Sequence, residues 1–458
     1  MIRVDDRASI VLKELSFNYG NEASERDAEY YANMMGKYPY LQLGDDIIET
    51  NNTVNIFLYN DQFLPKIEVH FYDSTHRYSD KNFPTDNEIL SLFIRSTSEI
   101  LMPVRMDFKI LSFNLLKQKD GLNNKTLYSI IGVLNVNNLY FRNFKSYEDS
   151  SINVLKQIAR ESELGFATNI SSTNDKMVWI NPGKSNLKFI QNIVEYSYIS
   201  DTTYTYAFID FYYNLNYIDI ESCLNDDISE QLGITSVGGI YKQESDEIVS
   251  DLILTNSEND AGNNKYINKF NLNNSSLDVN LEIGYKSLLT YFDRNGNTIY
   301  KIITDSISYT GDQNEKIILK GNVDEITEMS DRVINNDNLG RIDTDNVHKN
   351  YIYAKYQNVK NLKSLQKIKV RVTLLLNNYN LYRFQKIMIR FYKNADITGD
   401  FKPVNQNSTD DYENILNKRL SGEWIITAIN YTFDKINGFK QEVSLTRRDL
   451  GFNDKDFQ

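Results

Sequence analysis

The sequence predicts a mainly β, α+β protein, with two antiparallel β-barrel domains, an α/β insert between them and an additional hairpin-rich section. Three observations carry this prediction. Apolar and polar residues alternate over much of the chain, which is the period of a half-buried strand. The period becomes helical in two stretches after residue 146. Asp-Gly and Asn-Gly pairs separate several alternating runs, as in β-hairpins.

These changes in period divide the chain into five predicted parts. They are an N-terminal segment at 1–39 with a short helix near 25–35, a first β-barrel domain at 40–146, an α/β insert at 147–225, an Asn-rich hairpin section at 226–350 and a second β-barrel domain at 351–458. The strands of the hairpin section could complete either neighbouring β-domain, and the sequence leaves this open. A polar loop at about 396–418 interrupts the second β-domain.

The first β-domain shows the strand period most clearly. Val54, Ile56 and Leu58 occupy alternate positions, and two later runs repeat this spacing. Further along, the pair at 120–121 is Asp-Gly between two alternating runs. Such a pair predicts a hairpin turn.

The α/β insert is predicted to contain two helices, each with an apolar stripe at helical spacing. The first has Ile152, Leu155 and Ile158 on its stripe and follows a serine that can act as N-cap. The second follows the sequence Asn-Pro-Gly, with Ser185 as N-cap and Ile190 on its stripe.

The strand period returns from Tyr351, where we expect the second β-domain to begin. Its last two strands flank an Asn-Gly pair at 437–438, which predicts another hairpin turn. Trp179 and Trp424 lie in strand-like runs and are predicted to anchor a core or an interface. Gly422 is predicted to mark the tight start of a strand.

One segment has the spacing of a calcium loop. Asp293, Asn295 and Asn297 stand at its first, third and fifth positions. The glycine, however, stands at the fourth position instead of the sixth, and no Glu follows at the twelfth. A β-hairpin turn at Asn295-Gly296 explains the segment better.

Other metal sites and catalytic motifs find no support. Cys223 is the single cysteine, which excludes an intramolecular disulfide and a cysteine-rich metal site. Nucleophile-elbow, P-loop and Rossmann fingerprints are absent from the sequence. We therefore expect no cofactor, no metal and no enzymatic activity. The three histidines lack a zinc-ligand spacing, and they are His70, His76 and His348.

The charge balance bears on partners. With 62 acidic and 50 basic residues the chain has a net charge of −12, which argues against a nucleic-acid-binding surface. A glycosidase-type Asp/Glu pair that includes Glu221 or Asp210 is not formally excluded, but among 62 acidic residues a candidate pair carries no weight. The N-terminus lacks a signal-peptide core, and no window approaches the roughly 18 apolar residues of a membrane span. We expect a soluble protein assembled in the cytoplasm.

Two segments carry a resemblance to a known family. Residues 155–221 contain, in order, GFATN, VWINPG, LKFIQNIVEYSY and YAFIDFYYNLNYIDIE, and residues 420–452 contain GEWIITAINYTF and INGFKQEVSLTRRDL. They resemble the central hub proteins of contractile-tail baseplates in phages, the family of late control protein D and of the hub part of type VI secretion spike proteins. The main matching positions are Gly165, Phe166, Trp179, Asp210, Tyr217, Gly422, Trp424 and Gly438.

The resemblance implies a structural role. Hub proteins of this family form homotrimers, and their two tube-type barrels per copy make a pseudo-six-fold ring between the hexameric tail tube and the trimeric central spike. The implied partners are the tail tube protein, the central spike protein and the surrounding baseplate wedge proteins. The implied location is the virion, at the tail baseplate, after assembly in the host cytoplasm. No membrane partner or specific nucleic-acid binding is expected, and DNA would pass through the lumen.

Two other functions stay open at this point. A carbohydrate-binding or depolymerase tail protein would also be rich in β-structure, tyrosine and carboxylates, but it does not explain an α/β insert between two β-domains. The equivalent hub of a bacterial contractile injection system would share every feature named above. Genomic neighbours would separate it from a phage protein.

Overall fold

The structure of the chain is a computed structural model. The residues that it describes are 3–6, 40–44, 46–48, 52–73, 78, 84, 88–94, 104–118, 126–225, 253–257, 265–275, 279, 286–292, 298–304, 326–329, 347–375, 377–378, 381–393, 417, 419–434, 438–447 and 450. Within them the protein is mainly β, as the sequence predicts. No helix in these ranges has the length and apolar content that crossing a membrane requires. The predicted helix near 25–35 lies outside them.

The chain begins with a short strand that the sequence did not predict, β1 (Arg3–Asp6). The first β-unit follows, and all of its strand pairs are antiparallel. Its seven strands are β2 (Tyr40–Leu43), β3 (Asp46–Ile48), β4 (Thr53–Tyr59), β5 (Lys66–Asp73), β6 (Ile89–Ile94), β7 (Val104–Gln118) and β8 (Thr126–Leu134), and their spatial order is β4-β5-β8-β7-β6-β2-β3.

The alternation predicted for the first β-unit is largely confirmed. Ile56 and Leu58 are fully buried, and β5 alternates buried and partly buried residues along most of its length. Val54 is only half-buried, because a bulge between Thr53 and Asn55 shifts the register of β4 against β5. The hairpin predicted between β7 and β8 is confirmed by their antiparallel pairing, while Asp120-Gly121 itself lies outside the described residues.

The α/β unit comes next. Its elements are β9 (Arg142–Asp149), α1 (Ser151–Glu161), β10 (Gly165–Thr168), β11 (Met177–Ser185), α2 (Asn186–Tyr196), β12 (Thr205–Ile209), β13 (Asn214–Asp219) and α3 (Ile220–Asn225). Strand β1 joins it in a mixed sheet of order β1-β10-β13-β12, in which β10 and β13 run parallel. Strands β9 and β11 form a separate antiparallel ribbon.

Both predicted helices of the insert are confirmed. The stripe of α1 at Ile152, Leu155 and Ile158 is buried. The side chain of Ser185 caps α2 by accepting a hydrogen bond from the Lys188 amide. The N-cap of α1 is a serine as predicted, but its side chain makes no capping hydrogen bond.

The remaining elements form the second β-unit and a small additional sheet. In chain order they are β14 (Ile253–Thr255), β15 (Ile267–Asn274), β16 (Lys286–Phe292), β17 (Thr298–Thr304), β18 (Ile326–Met329), α4 (Tyr351–Ser364), β19 (Ile368–Leu374), β20 (Lys386–Arg390), β21 (Gly422–Asp434) and β22 (Gly438–Arg447). The second β-unit has the order β15-β19-β22-β21-β20-β14. It is antiparallel except that β14 and β20 run parallel, which the sequence did not predict.

The hairpin section contributes to two places. Strands β14 and β15 complete the second β-unit, which resolves the alternative that the sequence left open. Strands β16, β17 and β18 form a three-stranded sheet of their own. The predicted hairpin is confirmed by the antiparallel pairing of β16 with β17, from Lys286–Thr304 to Phe292–Thr298. The calcium-spaced residues of its turn lie outside the described residues.

The second β-unit curls until its two outer strands approach each other. A single bridge joins Thr255, at the end of β14, to Tyr266, the residue before β15. The Thr255 amide also donates a hydrogen bond of 3.1 Å to the Lys265 carbonyl. In the described part of the chain, no full ladder closes either β-unit into a barrel. The barrel form and the five-part domain division stay predictions.

Residues 351–364 are helical, so the prediction that strands resume at Tyr351 is wrong. Helix α4 has no clear apolar stripe, because polar residues such as Gln357, Asn358 and Asn361 are among those it buries. A sequence reading that follows apolar periodicity therefore finds no helix there. The strand pattern resumes at Ile368.

Candidate functional site

The two β-units are joined along one long strand, β21. Near its start, β21 pairs with β20 of the second β-unit, with Trp424 opposite Ile387. Near its end, it pairs with β4 of the first β-unit, with Tyr431 opposite Leu58. Its other side pairs with β22 over most of its length. Strand β21 therefore belongs to both β-units and makes them one 13-stranded sheet.

The side chain of Arg383 lies where the two β-units and the α/β unit meet. Its Nε donates to the Thr427 carbonyl at 2.9 Å, and its Nη1 donates to the Gln62 carbonyl at 2.7 Å. Its guanidinium stacks over the Phe208 ring at 4.2 Å and approaches the Tyr206 hydroxyl at 3.5 Å. The residue is only 3% exposed. One guanidinium thus contacts all three units.

Two opposing effects act on the pKa of this buried arginine. Burial lowers the pKa of the Arg383 guanidinium, and Tyr206, Asp61 and Asp210 act in the opposite direction. An arginine stays protonated in proteins, so its N–H groups need acceptors when water is excluded. Those acceptors come from separate units, and they are available only when the units are docked.

Backbone contacts surround this arginine. The Asn60 amide donates to the Asn430 side chain at 2.9 Å, and Asn60 Oδ1 is itself 3.4 Å from Arg383 Nη1. The Ile209 amide, at the end of β12, donates to the Phe63 carbonyl at 2.7 Å. The first β-unit is therefore hydrogen-bonded to both other units at this junction.

An aromatic cluster fills the space beside the guanidinium. Phe384 packs against Phe208 and Tyr206, with ring centroids 5.5 and 5.2 Å apart. Its backbone has a φ of +63°, and its amide donates to the Ile426 carbonyl at 2.6 Å. A left-handed conformation is uncommon for an aromatic residue and is held here by the surrounding contacts.

Helix α4 docks on the α/β unit through a buried asparagine. The Asn358 side-chain amide donates to the carbonyls of Val194, Glu195 and Ser197 at 3.0–3.2 Å. Its oxygen accepts from the Thr205 amide at 3.1 Å. The last carbonyls of a helix lack partners within it, so Asn358 caps the end of α2 from another element.

A buried histidine precedes α4. His348 Nε2 donates to the Tyr196 carbonyl at 3.0 Å, which fixes the proton on Nε2 in the neutral ring. The ring lies among Trp179 and Tyr198, with centroids 6.3 and 6.4 Å away. Burial lowers the pKa of His348, and the Asp175 carboxylate acts in the opposite direction.

The positions predicted to match the hub family are mostly core residues in the α/β unit. Phe166 follows Gly165 at the start of β10 and is fully buried. The Trp179 indole donates to the Asp149 carbonyl at 3.0 Å. Tyr217, on β13, places its hydroxyl 3.2 Å from the Ser151 hydroxyl.

Asp210 lies in the turn between β12 and β13. Its carboxylate accepts hydrogen bonds from the amides of Tyr212 and Asn214 and from the side chain of Asn216, all at 2.9 Å. Burial raises the pKa of this carboxyl, and these hydrogen bonds lower it. Asp210 is one of the charges that act on Arg383, so it links the matching positions to the junction.

The other matching positions lie in the β21–β22 hairpin. Gly422 begins β21 with a φ of +118°, and a Cβ there would lie 3.1 Å from Arg447 Nη1. Trp424 donates to the Leu420 carbonyl at 3.0 Å, and the Arg447 guanidinium stacks on its ring at 4.4 Å. Gly438 begins β22 with a φ of +68°, as a tight hairpin requires. Both tryptophans are buried, as predicted.

The matching positions therefore form two groups, one in the α/β unit and one in the hairpin. Their role as family-matching positions stays a prediction. Arg383 and Asn358, which join the units, were not found from the sequence. Each is a single polar residue in a segment without a motif, and no local signal marks such a residue as buried.

Within the described residues, no group of three or more His, Cys, Asp or Glu side chains could hold a metal ion. Of the three histidines, His70 contacts Glu68 at 2.9 Å and His348 is buried beside Trp179 and Tyr198, while His76 lies outside the described residues. Cys223 is buried and accepts from the Asn169 side chain at 3.4 Å. The arrangement described above is a junction between structural units.

Similarity to known proteins is found among solved structures and not among protein-family models or curated proteins. No protein-family model matches the sequence, and no curated protein matches it significantly. Among solved structures, a tail protein from Neisseria meningitidis has a TM-score of 0.49 at 10% identity and covers 90% of this chain and 97% of its own. The 43 kDa tail protein of prophage MuSo2 from Shewanella oneidensis has a TM-score of 0.47 at 9% identity and covers 90% and 98%.

A component of the type VI secretion system, the E. coli c3393 protein, has a TM-score of 0.40 at 8% identity and covers 88% of this chain and 75% of its own. The structural neighbours of this chain are thus tail proteins and type VI secretion proteins. At these scores and identities, the comparisons assign neither a family nor an activity to the chain.

Proposed function

We propose that this chain is a non-enzymatic central hub of a contractile-tail baseplate and that it acts as a homotrimer. The observation that carries the proposal is the sharing of β21 between two β-units, with the α/β unit docked at the same junction. The sequence resemblance implies this arrangement of two β-units around an α/β insert. Each copy would then supply two β-units in one fixed relation.

This fixed relation is what a symmetry adaptor needs. A trimer of chains with two β-units each presents six β-units, which can face a hexameric tail tube on one side and a trimeric spike on the other. The two units must not rotate against each other, because the ring would then lose its six-fold character. A shared strand and a buried arginine across the junction oppose such rotation.

The remaining parts of the proposal come from the resemblance. In it the β-units are tube-type barrels around a lumen, and the partners are the tail tube protein, the central spike protein and the baseplate wedge proteins. The net charge of −12 suits a channel that DNA passes without binding. The protein would be found in the virion, at the tail baseplate. No catalytic step is assigned to it.

The test is the mass of the purified chain in solution, by light scattering, alone and mixed with the spike protein encoded beside it. A trimer, or a complex of three chains with three spike chains, is the expected result. A chain that stays monomeric alone and with the spike protein would overturn the proposal. Electron microscopy of the assembled tail gives an independent check, since the chain should lie on the tail axis between tube and spike.

A further inference from the structure

Strand β7 extends well beyond its neighbour β6. Strand β6 pairs with it only from Val104 to Lys109, whereas β8 pairs with it as far as Gln118. From residue 110 onward, no other strand of the described part lies on the side of β7 opposite β8. An extended strand edge of this kind can accept a strand from another chain.

The same stretch of β7 carries a ridge of exposed leucines. Leu111, Leu115 and Leu116, here called the leucine ridge, are 59%, 55% and 51% exposed. The register against β8 shifts between Ile110 and Ser112 and again after Leu115. Leu111 and Leu116 are the extra residues at these two bulges. A bulge redirects a side chain, and here both bulges coincide with leucines that face solvent.

A second extended edge lies at the β15 end of the 13-stranded sheet. Strand β15 pairs with β19 on one side, and after Ile267 no strand of the described part flanks its other side. Its eight residues, INKFNLNN, include neither proline nor an acidic residue. Leu272 is exposed on it, and Lys269 is its single charged residue. Edge strands usually carry stronger protection than this against pairing.

We propose that β15 of a second copy of this chain pairs with β7 beyond Lys109 and covers the leucine ridge. The proposal rests on the homotrimer proposed above and names its contact surfaces. The two edges match in length, with eight residues in β15 and nine at 110–118 of β7. They are different edges of one molecule, so the contact is head-to-tail. Such a contact closes into a ring when the rotation permits, whereas a contact between identical edges gives a two-fold dimer.

The chemistry of the two edges sets the character of the contact. The charged residues on both are lysines, namely Lys117 on β7 and Lys269 on β15. No ion pair between the edges can therefore hold the copies together. Backbone hydrogen bonds and burial of the leucine ridge must do so, and added salt should leave the trimer intact or strengthen it.

The first test uses single-cysteine variants of the full chain. Leu115→Cys is mixed in turn with Asn271→Cys, Leu272→Cys and Asn273→Cys and treated with a short bis-maleimide, the native Cys223 being buried. Cross-linked dimers are expected only in the mixtures. The yield should alternate along β15, because successive side chains of a strand point to opposite faces of the sheet. Tyr300→Cys, on an exposed residue of β17, replaces the β15 variant as the matched control and should give no cross-link. Equal cross-linking with Tyr300→Cys would overturn the proposal.

The second test removes the apolar surface. The double substitution Leu115→Lys and Leu116→Lys should lower the solution mass threefold, from trimer to monomer, while Tyr300→Lys leaves it unchanged. A wild-type trimer that keeps its mass in the double variant and gives no cross-link between β7 and β15 would overturn this contact and leave the hub proposal standing. A wild-type chain that is monomeric with and without the spike protein would overturn both.

Discussion

Arg383 Nη1 donates a hydrogen bond of 2.7 Å to the carbonyl of Gln62, a residue 321 positions away in the sequence. The two residues belong to different β-units, and the guanidinium that makes the contact packs against aromatic rings of the α/β unit. A hydrogen bond from a charged donor is stronger than a neutral one, so its loss would weaken the contact between the two β-units.

The first prediction concerns this arginine. Arg383→Met should lower the free energy of unfolding by about 3 kcal/mol, because it removes the donor from carbonyls of two units. Arg371→Met is the matched control, since Arg371 is largely exposed and pairs with Glu442 at 3.2 Å. It should cost less than about 1 kcal/mol. Urea unfolding of both variants measures the two losses in free energy of unfolding. Similar losses would contradict the structural role of Arg383.

The second prediction concerns the docking of α4. Asn358→Asp keeps an acceptor for the Thr205 amide but loses the donors to the end of α2 and buries a charge. We expect a cost of about 3 kcal/mol and faster amide hydrogen exchange in the last turn of α2. Val359→Ala, at an exposed position beside it, should change neither. Unchanged exchange in α2 of the Asn358→Asp variant would contradict the capping role.

The third prediction concerns pH. Burial holds the pKa of His348 below its ordinary value of 6.5, so the unfolded chain binds a proton at a higher pH than the folded chain does. The stability that this residue contributes is therefore fully present above pH 6.5 and is lost as the pH falls below it. His348→Gln should flatten the loss of stability as the pH falls below 6.5.

The slope of stability against pH is compared between the parent chain and the His348→Gln variant. Chemical unfolding at a series of pH values gives the comparison. A parent-like slope in the His348→Gln variant would mean that other groups cause the loss.

The fourth prediction compares two glycines of the same hairpin. Gly422→Ala meets both a φ of +118° and a close approach to Arg447, so it should cost about 2–3 kcal/mol. Gly438→Ala has a φ of +68° and open space around the added methyl group, so it should cost about 1 kcal/mol. Thermal unfolding of the two variants tests the order. The reverse order would show that steric contact with Arg447 does not matter.

The sequence predicted the elements whose signal is local. The alternating strands around Ile56, the amphipathic helix α1 and the hairpins with Asn-Gly turns all follow from residues within one short window. The resemblance placed the α/β unit between two sets of strands, which the structure shows as well.

The parts that the sequence did not predict depend on distant residues. Helix α4 buries polar side chains because carbonyls at the end of α2 accept hydrogen bonds from Asn358. The sequence of α4 itself carries no apolar stripe. Strand β1 is four residues long and forms only because β10 offers it an edge. Arg383 is buried because three units converge on it, and no pattern near residue 383 contains that information.

The shared strand also sets the order in which the chain can fold. Asn60, beside β4, bonds Asn430 in β21, and the two are 370 residues apart. A ribosome adds about 5–20 residues per second, so β21 is synthesised roughly 20–70 s after β4, with which it pairs. During that time a nascent first β-unit presents the uncovered edge of β4 at residues 55–58 to other nascent chains. Synthesis of this protein should therefore depend on chaperones, and release of the completed C-terminal hairpin should be the step that ends the risk of aggregation.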